Sequence, residues 1–146
     1  MAWAKPNTTI PGLSNAGTQI DGQTVTFQGE AVGDIINADE GHKWLTLEDE
    51  GSTISVYVTD YQANRISHLG RYDQRGSFVE VTGTFHAACP IHDGLTDVHA
   101  DRLTVLDAGE ELESELDFNE LKIGGVLLAI GLLLLVLQWR LRERLR

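Results

Sequence analysis

Polar and apolar residues alternate along several stretches of the chain with a period of two, the pattern of strands with one buried face. Gln23–Val32 (QTVTFQGEAV) places Val25 and Phe27 on one side. Trp44–Leu47 continues the pattern, and the turn-like Glu-Asp-Glu-Gly-Ser leads into Thr53–Thr59 (TISVYVT), where Ile54, Val56 and Val58 share a face opposite Ser55 and Tyr57. The period then changes. In Asp60–Leu69 (DYQANRISHL), Asp60 suits a helix N-cap, and Tyr61, Arg65 and Leu69 recur every four residues, predicting a short helix. After the turn-rich Gly70–Gly76, Ser77–Phe85 reads as a strand with Val79 and Val81 inward and Gly83 marking a bend or bulge. Asp97–Leu106 supplies a last strand, with Val98, Ala100, Leu103 and Val105 as candidate core residues after a small offset.

Three strands, a short helix and two strands define an all-β domain. The predicted architecture is a five-stranded OB-fold barrel with its helix between strands three and four. Two segments, Asp21-Gly22-Gln23-Thr24-Val25-Thr26-Phe27-Gln28-Gly29-Glu30 and Val79-Glu80-Val81-Thr82-Gly83-Thr84-Phe85, carry a family likeness. Over roughly residues 20–107 the chain resembles membrane-anchored OB domains of bacteria and archaea. More distantly it resembles the extracytoplasmic haem chaperone of cytochrome c maturation. That resemblance implies an OB domain held outside the cytoplasm by one membrane helix. In the chaperone family the anchor is N-terminal, and the haem-attaching histidine follows the last strand with a tyrosine nearby. Here no His or Tyr follows His99, so haem attachment carries over to no residue.

A C-terminal transmembrane helix is the other strong expectation. Ile123–Gln138 (IGGVLLAIGLLLLVLQ) has no charge, and Lys122 and Trp139 suit the two interfaces, so residues 121–139 form the predicted span. The chain thus divides into an N-terminal arm (1–20), the OB domain (21–107), an acidic linker (108–120), the span and a basic tail (140–146). Arg140, Arg142, Arg144 and Arg146 follow the span closely, and the positive-inside rule puts them in the cytoplasm and the β domain outside. An exported domain needs a signal peptide, and MAWAKPNTTIPG has no apolar core for one; the expectation is a leader absent from this chain, and the alternative is a cytoplasmic domain with the orientation reversed. Within the span, Gly124, Gly131 and Gln138 recur every seven residues, and Gly125 and Ala129 form a small-xxx-small pair. These positions suit packing against an integral membrane partner.

Charge narrows the function classes. Residues 1–120 hold 21 of the 22 acidic residues but only Lys5, Lys43, Arg65, Arg71, Arg75 and Arg102, a net charge of about −15. Trp44, Tyr57 and Phe78 are candidate stacking residues for oligonucleotides, but no basic groove accompanies them, and nucleic acid is not the expected partner. No nucleophile elbow, P-loop or zincin motif is present, so catalysis is not expected, and acid pairs such as Asp49/Glu50 and Asp97/Asp101 read as solvated surface charge.

One segment approaches chemistry. Between strands four and five, His86, Cys89, His92 and His99 bring three of the five histidines together with the only cysteine. Thiolate and imidazole suit zinc, copper or haem iron. A metal site requires the Cys89 sulfur and two histidine nitrogens within about 4 Å of each other. The simpler expectation is a structural loop with no cofactor, in which Cys89 packs as a small hydrophobe, Pro90 stiffens a turn and Asp93-Gly94 forms the tip. The expected role is therefore a membrane-tethered OB-fold binding module, an accessory or assembly subunit of a membrane complex. The alternatives are a metal- or haem-handling protein using this loop, and an oligonucleotide-binding domain.

Overall fold

The computed structural model describes residues 8–39, 41–112 and 118–144, with the side chains of 118–121 left out. Residues 1–113 and 114–146 form two separate compact units.

In the first unit five strands carry the fold: β1 (Thr24–Asn37), β2 (His42–Asp49), β3 (Ser52–Thr59), β5 (Phe78–His86) and β6 (Asp97–Asp107). They pair in the order β1-β2-β3-β6-β5 and close into a barrel, because β1 pairs with β5 as well as β2. All contacts are antiparallel except β3–β6, a short parallel match of Ser55, Tyr57 and their neighbours with Asp97–His99. Alternation decides the facing. Val25, Phe27, Leu45, Leu47, Ile54, Val56, Val58, Val79, Val81, Phe85, Val98 and Leu103 fill the interior. Ala100 and Val105 are only partly buried at its margin.

The offset expected in the last strand is a register shift in which Thr82 pairs with Arg102 and Gly83 with Ala100. Gly83 permits it: a Cβ there would collide with the His99 carbonyl and lie 2.9 Å from the Ala100 Cα.

Two local expectations need correction. The predicted helix covers only α2 (Asp60–Ala63), and its N-cap is Thr59 rather than Asp60. Thr59 Oγ1 accepts from the Gln62 amide at 3.2 Å while Gln62 Oε1 accepts from the Thr59 amide at 2.9 Å, a reciprocal capping box. The helix stops short of Leu69 because the following backbone bonds elsewhere: Gly70 N–H donates to Ala31 of β1 at 2.7 Å, and Ser77 N–H to His68 at 2.8 Å.

The segment read as an arm contributes to the core. Helix α1 (Ile10–Ala16), capped by the Thr9 hydroxyl, buries Ile10 and Leu13 completely. Gly29 makes room for it, since a Cβ there would stand 3.0 Å from Ile10 Cδ1. A single turn of 3₁₀ helix (Gly17–Ile20) leads on to β1. Two residues of the region read as linker also gain structure: β7 (Glu110–Glu111) pairs with β4 (Gln74–Arg75), and Arg75 bridges Asp107 and Glu110 at 3.3 and 3.4 Å. Residues 113–117 of that linker lie outside the described residues, and 118–120 belong to the helix that follows.

The second unit is helix α3 (Phe118–Arg144). Among the described residues it is the one helix long and apolar enough to cross a membrane, over Lys122–Arg144. The helix runs past Trp139 through the arginine positions as far as Arg144. Gly124, Gly125 and Gly131 have open space around them within this unit.

Two outcomes are expected from this packing. Leu13→Ala should lower stability by about 2–5 kcal/mol in denaturant unfolding, the cost of a cavity beneath α1. Val56→Asp should prevent folding by burying an unpaired charge, whereas Thr53→Lys, exposed on the same strand and opposite Glu48, should leave stability within about 0.5 kcal/mol.

Candidate metal centre

Cross-strand partners share a face, and the outer face of the barrel near the parallel β3–β6 contact collects chemistry in two rows. Trp44 of β2 is opposite Tyr57 of β3, and Tyr57 is opposite His99 of β6. In the adjoining row Ser55 of β3 is opposite Asp97 of β6, and Asp97 is opposite His86, the last residue of β5. The loop 87–96 then folds back over this face. Its tip is Asp93-Gly94, both with positive φ (54° and 78°). The Cys89 carbonyl accepts from the amides of His92 and Gly94, the Cys89 amide donates to Leu95, and Asp21 and Thr96 tie the loop's start.

The loop sets Cys89 and His92 onto the strand residues. Cys89 Sγ lies 3.4 Å from His92 Nδ1 and 3.4 Å from His99 Nε2, and those two nitrogens are 3.3 Å apart. This overturns the expectation that the sulfur and the imidazoles stay apart. Cys89 is fully buried, as a structural loop would have it, yet it stands outside the hydrophobic cluster and faces imidazole nitrogens. Metal–nitrogen bonds near 2.0–2.1 Å and metal–sulfur bonds near 2.3 Å give tetrahedral edges of about 3.3 Å (N–N) and about 3.5 Å (N–S). The triangle matches those edges.

Asp97 completes the group, and the expectation that it is solvated surface charge fails. Its side chain has no exposure. Oδ2 is 2.6 Å from His92 Nδ1, and Oδ1 is 3.5 Å from His99 Nε2. Oδ1 and His92 Nε2 are buried without hydrogen-bond partners. A buried carboxylate oxygen is costly unless something compensates it, and a cation would. His86 also reaches the group: the donor atoms of His86, Cys89, Asp97 and His99 all lie within 4.8 Å of one another. The signal for Asp97 was present in the sequence, since Asp97 and His99 are two apart on a strand and must share a face.

Aromatic rings wall the cluster. Trp44 meets His92 edge-on at 4.7 Å, Tyr57 lies 4.7 Å from His92 and 5.1 Å from His99, and His42 stacks on Tyr57 at 4.5 Å. Phe78, grouped with Trp44 and Tyr57 on sequence grounds, sits apart, lining a recess with Glu30, Arg75 and Asp107. Burial lowers the His99 pKa below the ordinary imidazole value; Asp97 opposes the shift, and neighbouring His86 and His92 reinforce it. The Tyr57 phenol donates to Asp39 Oδ2 at 2.6 Å, and that bond, with burial and the carboxylate charge, pushes its pKa up to about 12. A larger recess of about 460 Å³ between α1 and the barrel is lined by Leu13, Thr46, Ser55, Thr96 and others, none of them titratable among the described residues.

No family model matches the chain, and no curated protein is significantly similar. Solved structures are similar in fold. OBody AM3L15, bound to hen egg-white lysozyme, superposes with a TM-score of 0.51 at 15% identity, covering 73% of this chain and 98% of that one. OBody AM1L10, also bound to hen egg-white lysozyme, gives 0.50 at 14% identity over 73% of this chain and 99% of its own. Asparaginyl-tRNA synthetase from Pyrococcus horikoshii gives 0.50 at 19% identity over 65% of this chain, which spans 22% of the synthetase. The fold is OB-like.

In metal-free protein, His92→Ala should remove the closest partner of the Asp97 carboxylate and cost about 3–5 kcal/mol in denaturant unfolding. Combining His92→Ala with Asp97→Leu should recover much of that loss. A double variant as unstable as the single one would show that the buried carboxylate is not its source.

Proposed function

We propose that this chain is a membrane-tethered OB domain that binds a single divalent transition-metal ion, with Cys89, His92, Asp97 and His99 as ligands. The observation that carries this reading is the near-equilateral triangle of one sulfur and two imidazole nitrogens with a buried carboxylate beside it. Thiolate and carboxylate together neutralise a divalent ion, so a low-exposure site holds no net charge. A monovalent ion would leave one negative charge buried. An ion suits the site better than haem, because Cys89 and Asp97 have no exposed face for a macrocycle to approach. A soft thiolate with two imidazoles suits zinc or copper among such ions. The metal supplies Lewis acidity or charge storage. The chain's own residues hold the ion, exclude water through Trp44 and Tyr57, and keep His99 neutral and able to donate.

Helix α3 is the tether in this reading, with Arg140, Arg142 and Arg144 on the cytoplasmic side and the barrel outside. The module then serves a membrane complex, reached through the Gly124, Gly125, Ala129, Gly131 and Gln138 positions. Oligonucleotide binding is the weaker reading. The net charge of about −15 repels phosphate, and Trp44 and Tyr57 already pack on His92.

Titration of the full chain in detergent with Co(II) should produce a thiolate-to-cobalt charge-transfer band that saturates at one ion per chain. Cys89→Ala should abolish the band and weaken binding by about 100-fold or more, while His68→Ala, whose ring faces the Ala108 carbonyl, should change neither. Binding should weaken as pH falls, since protons compete for imidazole and thiolate. A wild-type chain without the band would sink the reading. For topology, a cysteine placed in 140–146 should be labelled only from the cytoplasmic side; labelling from outside intact cells would reverse the orientation.

A further inference from the structure

Two four-donor sets overlap at this centre. Both contain Cys89, Asp97 and His99. One is completed by His92, whose side chain is only 10% exposed and lies against Trp44 and Tyr57. The other is completed by His86, half-buried at the end of β5, with its ring 4.7 Å from that of His99. A tetrahedral ion accepts only one of the two imidazoles at a time. We propose that His86 is an exchange ligand, so that the centre is built to pass its ion on rather than to hold it permanently. This inference rests on the metal-binding reading above.

The geometry favours exchange over a fixed five-ligand site in three ways. The nitrogen of His92 is within tetrahedral-edge distance of both Cys89 sulfur and the His99 nitrogen, whereas His86 reaches the group through its ring contact with His99 at 4.7 Å, inside a donor set whose members lie within 4.8 Å of one another. The two histidines also belong to different elements. His86 stands on a paired strand opposite Asp97, and His92 on the overlying loop three residues beyond Cys89, so the ion can stay on Cys89, Asp97 and His99 while His92 leaves. Finally, the edge at His99 is the wetter one: His99 is 26% exposed against 10% for His92 and none for Asp97. An incoming donor from solvent or a partner would meet the ion on the side of His86 and His99. Zinc-type ions expand transiently to five-coordinate, which lets His86 enter as a fifth ligand before His92 departs. No redox change is required: one metal–imidazole bond forms as another breaks.

The test uses the Co(II)-loaded full chain in detergent, with cobalt removed by excess EDTA and followed by loss of the thiolate band. His86→Ala should keep the band and an affinity within about threefold of wild type, but slow removal roughly tenfold; His92→Ala should weaken binding by more than about tenfold and alter the band. His86→Gln, which keeps a polar side chain of similar length, should behave like His86→Ala and guards against a folding defect in the latter. Removal at the wild-type rate in both His86 variants would overturn the exchange role. So would a loss of affinity as large as that of His92→Ala, which would make His86 a permanent ligand. Either result leaves the metal-binding reading standing, whereas absence of the band in wild type removes both.

Discussion

The Asp97 carboxylate sits under the loop 87–96 with no solvent exposure, and the local structure depends on how that charge is compensated. Burying an ion costs several kcal/mol even after the protein relaxes around it, and the cost is recovered only by close opposite charge and complete hydrogen bonding. One oxygen has His92 at 2.6 Å; the other is left with His99 at 3.5 Å. The surrounding donors are a thiol and three imidazoles, the side chains that serve transition metals as ligands. A divalent ion would meet the anionic oxygen, the sulfur and the imidazole lone pairs together. Compensation by metal accounts for all of these neighbours at once, whereas compensation by a protonated histidine accounts for only one.

The fold makes this arrangement by register rather than by the local motif. His86, Asp97 and His99 belong to strands whose pairing is fixed by an interior of Val79, Val81, Phe85 and Val98, and a slip of one residue would turn all three inward. The bulge at Gly83 changes the phase of β6 between Leu103, which faces in, and His99, which faces out. The parallel contact with β3 brings Tyr57 beside His99 and, through β2, Trp44. Only Cys89 and His92 come from the loop, and there the positive φ at Asp93 and Gly94 and the doubly accepted Cys89 carbonyl set their position.

Much of the barrel was legible in the sequence because period-two alternation is a direct consequence of burying one face: Val25 and Phe27, the Ile54-Val56-Val58 face, and Val79 with Val81 all lie where that reasoning put them. The apolar helix was legible for a similar reason, since a long uncharged run needs no partner to be recognised. Helix α1 was hidden, because Pro11, Gly12, Ser14 and Asn15 are poor helix formers and its two anchors find their role only against Gly29 and the barrel. The cap of α2 was displaced by one residue since Thr59 and Asp60 are both capable caps, and only the Gln62 side chain chooses between them. At the site, the His and Cys residues were visible as a cluster, but convergence is a tertiary property that spacing does not encode. Asp97 was missed because a single acid at a strand start resembles any other surface acid until a loop covers it.

The acidity of the domain acquires a physical meaning once the centre is a cation site. A net charge of about −15 on residues 1–120 creates a negative potential that raises the local concentration of divalent cations and speeds their encounter, an effect that fades with ionic strength. The same field repels phosphate backbones. Exposed carboxylates also bind cations, but weakly and without selection; the thiolate and imidazoles supply the selectivity that oxygen ligands lack. In the proposed reading, surface charge would gather ions of many kinds and the buried Cys-His-Asp group would discriminate among them. Each half of that division is incomplete alone: a soft-ligand site on a neutral surface would fill slowly, and an acidic surface without the site would retain nothing.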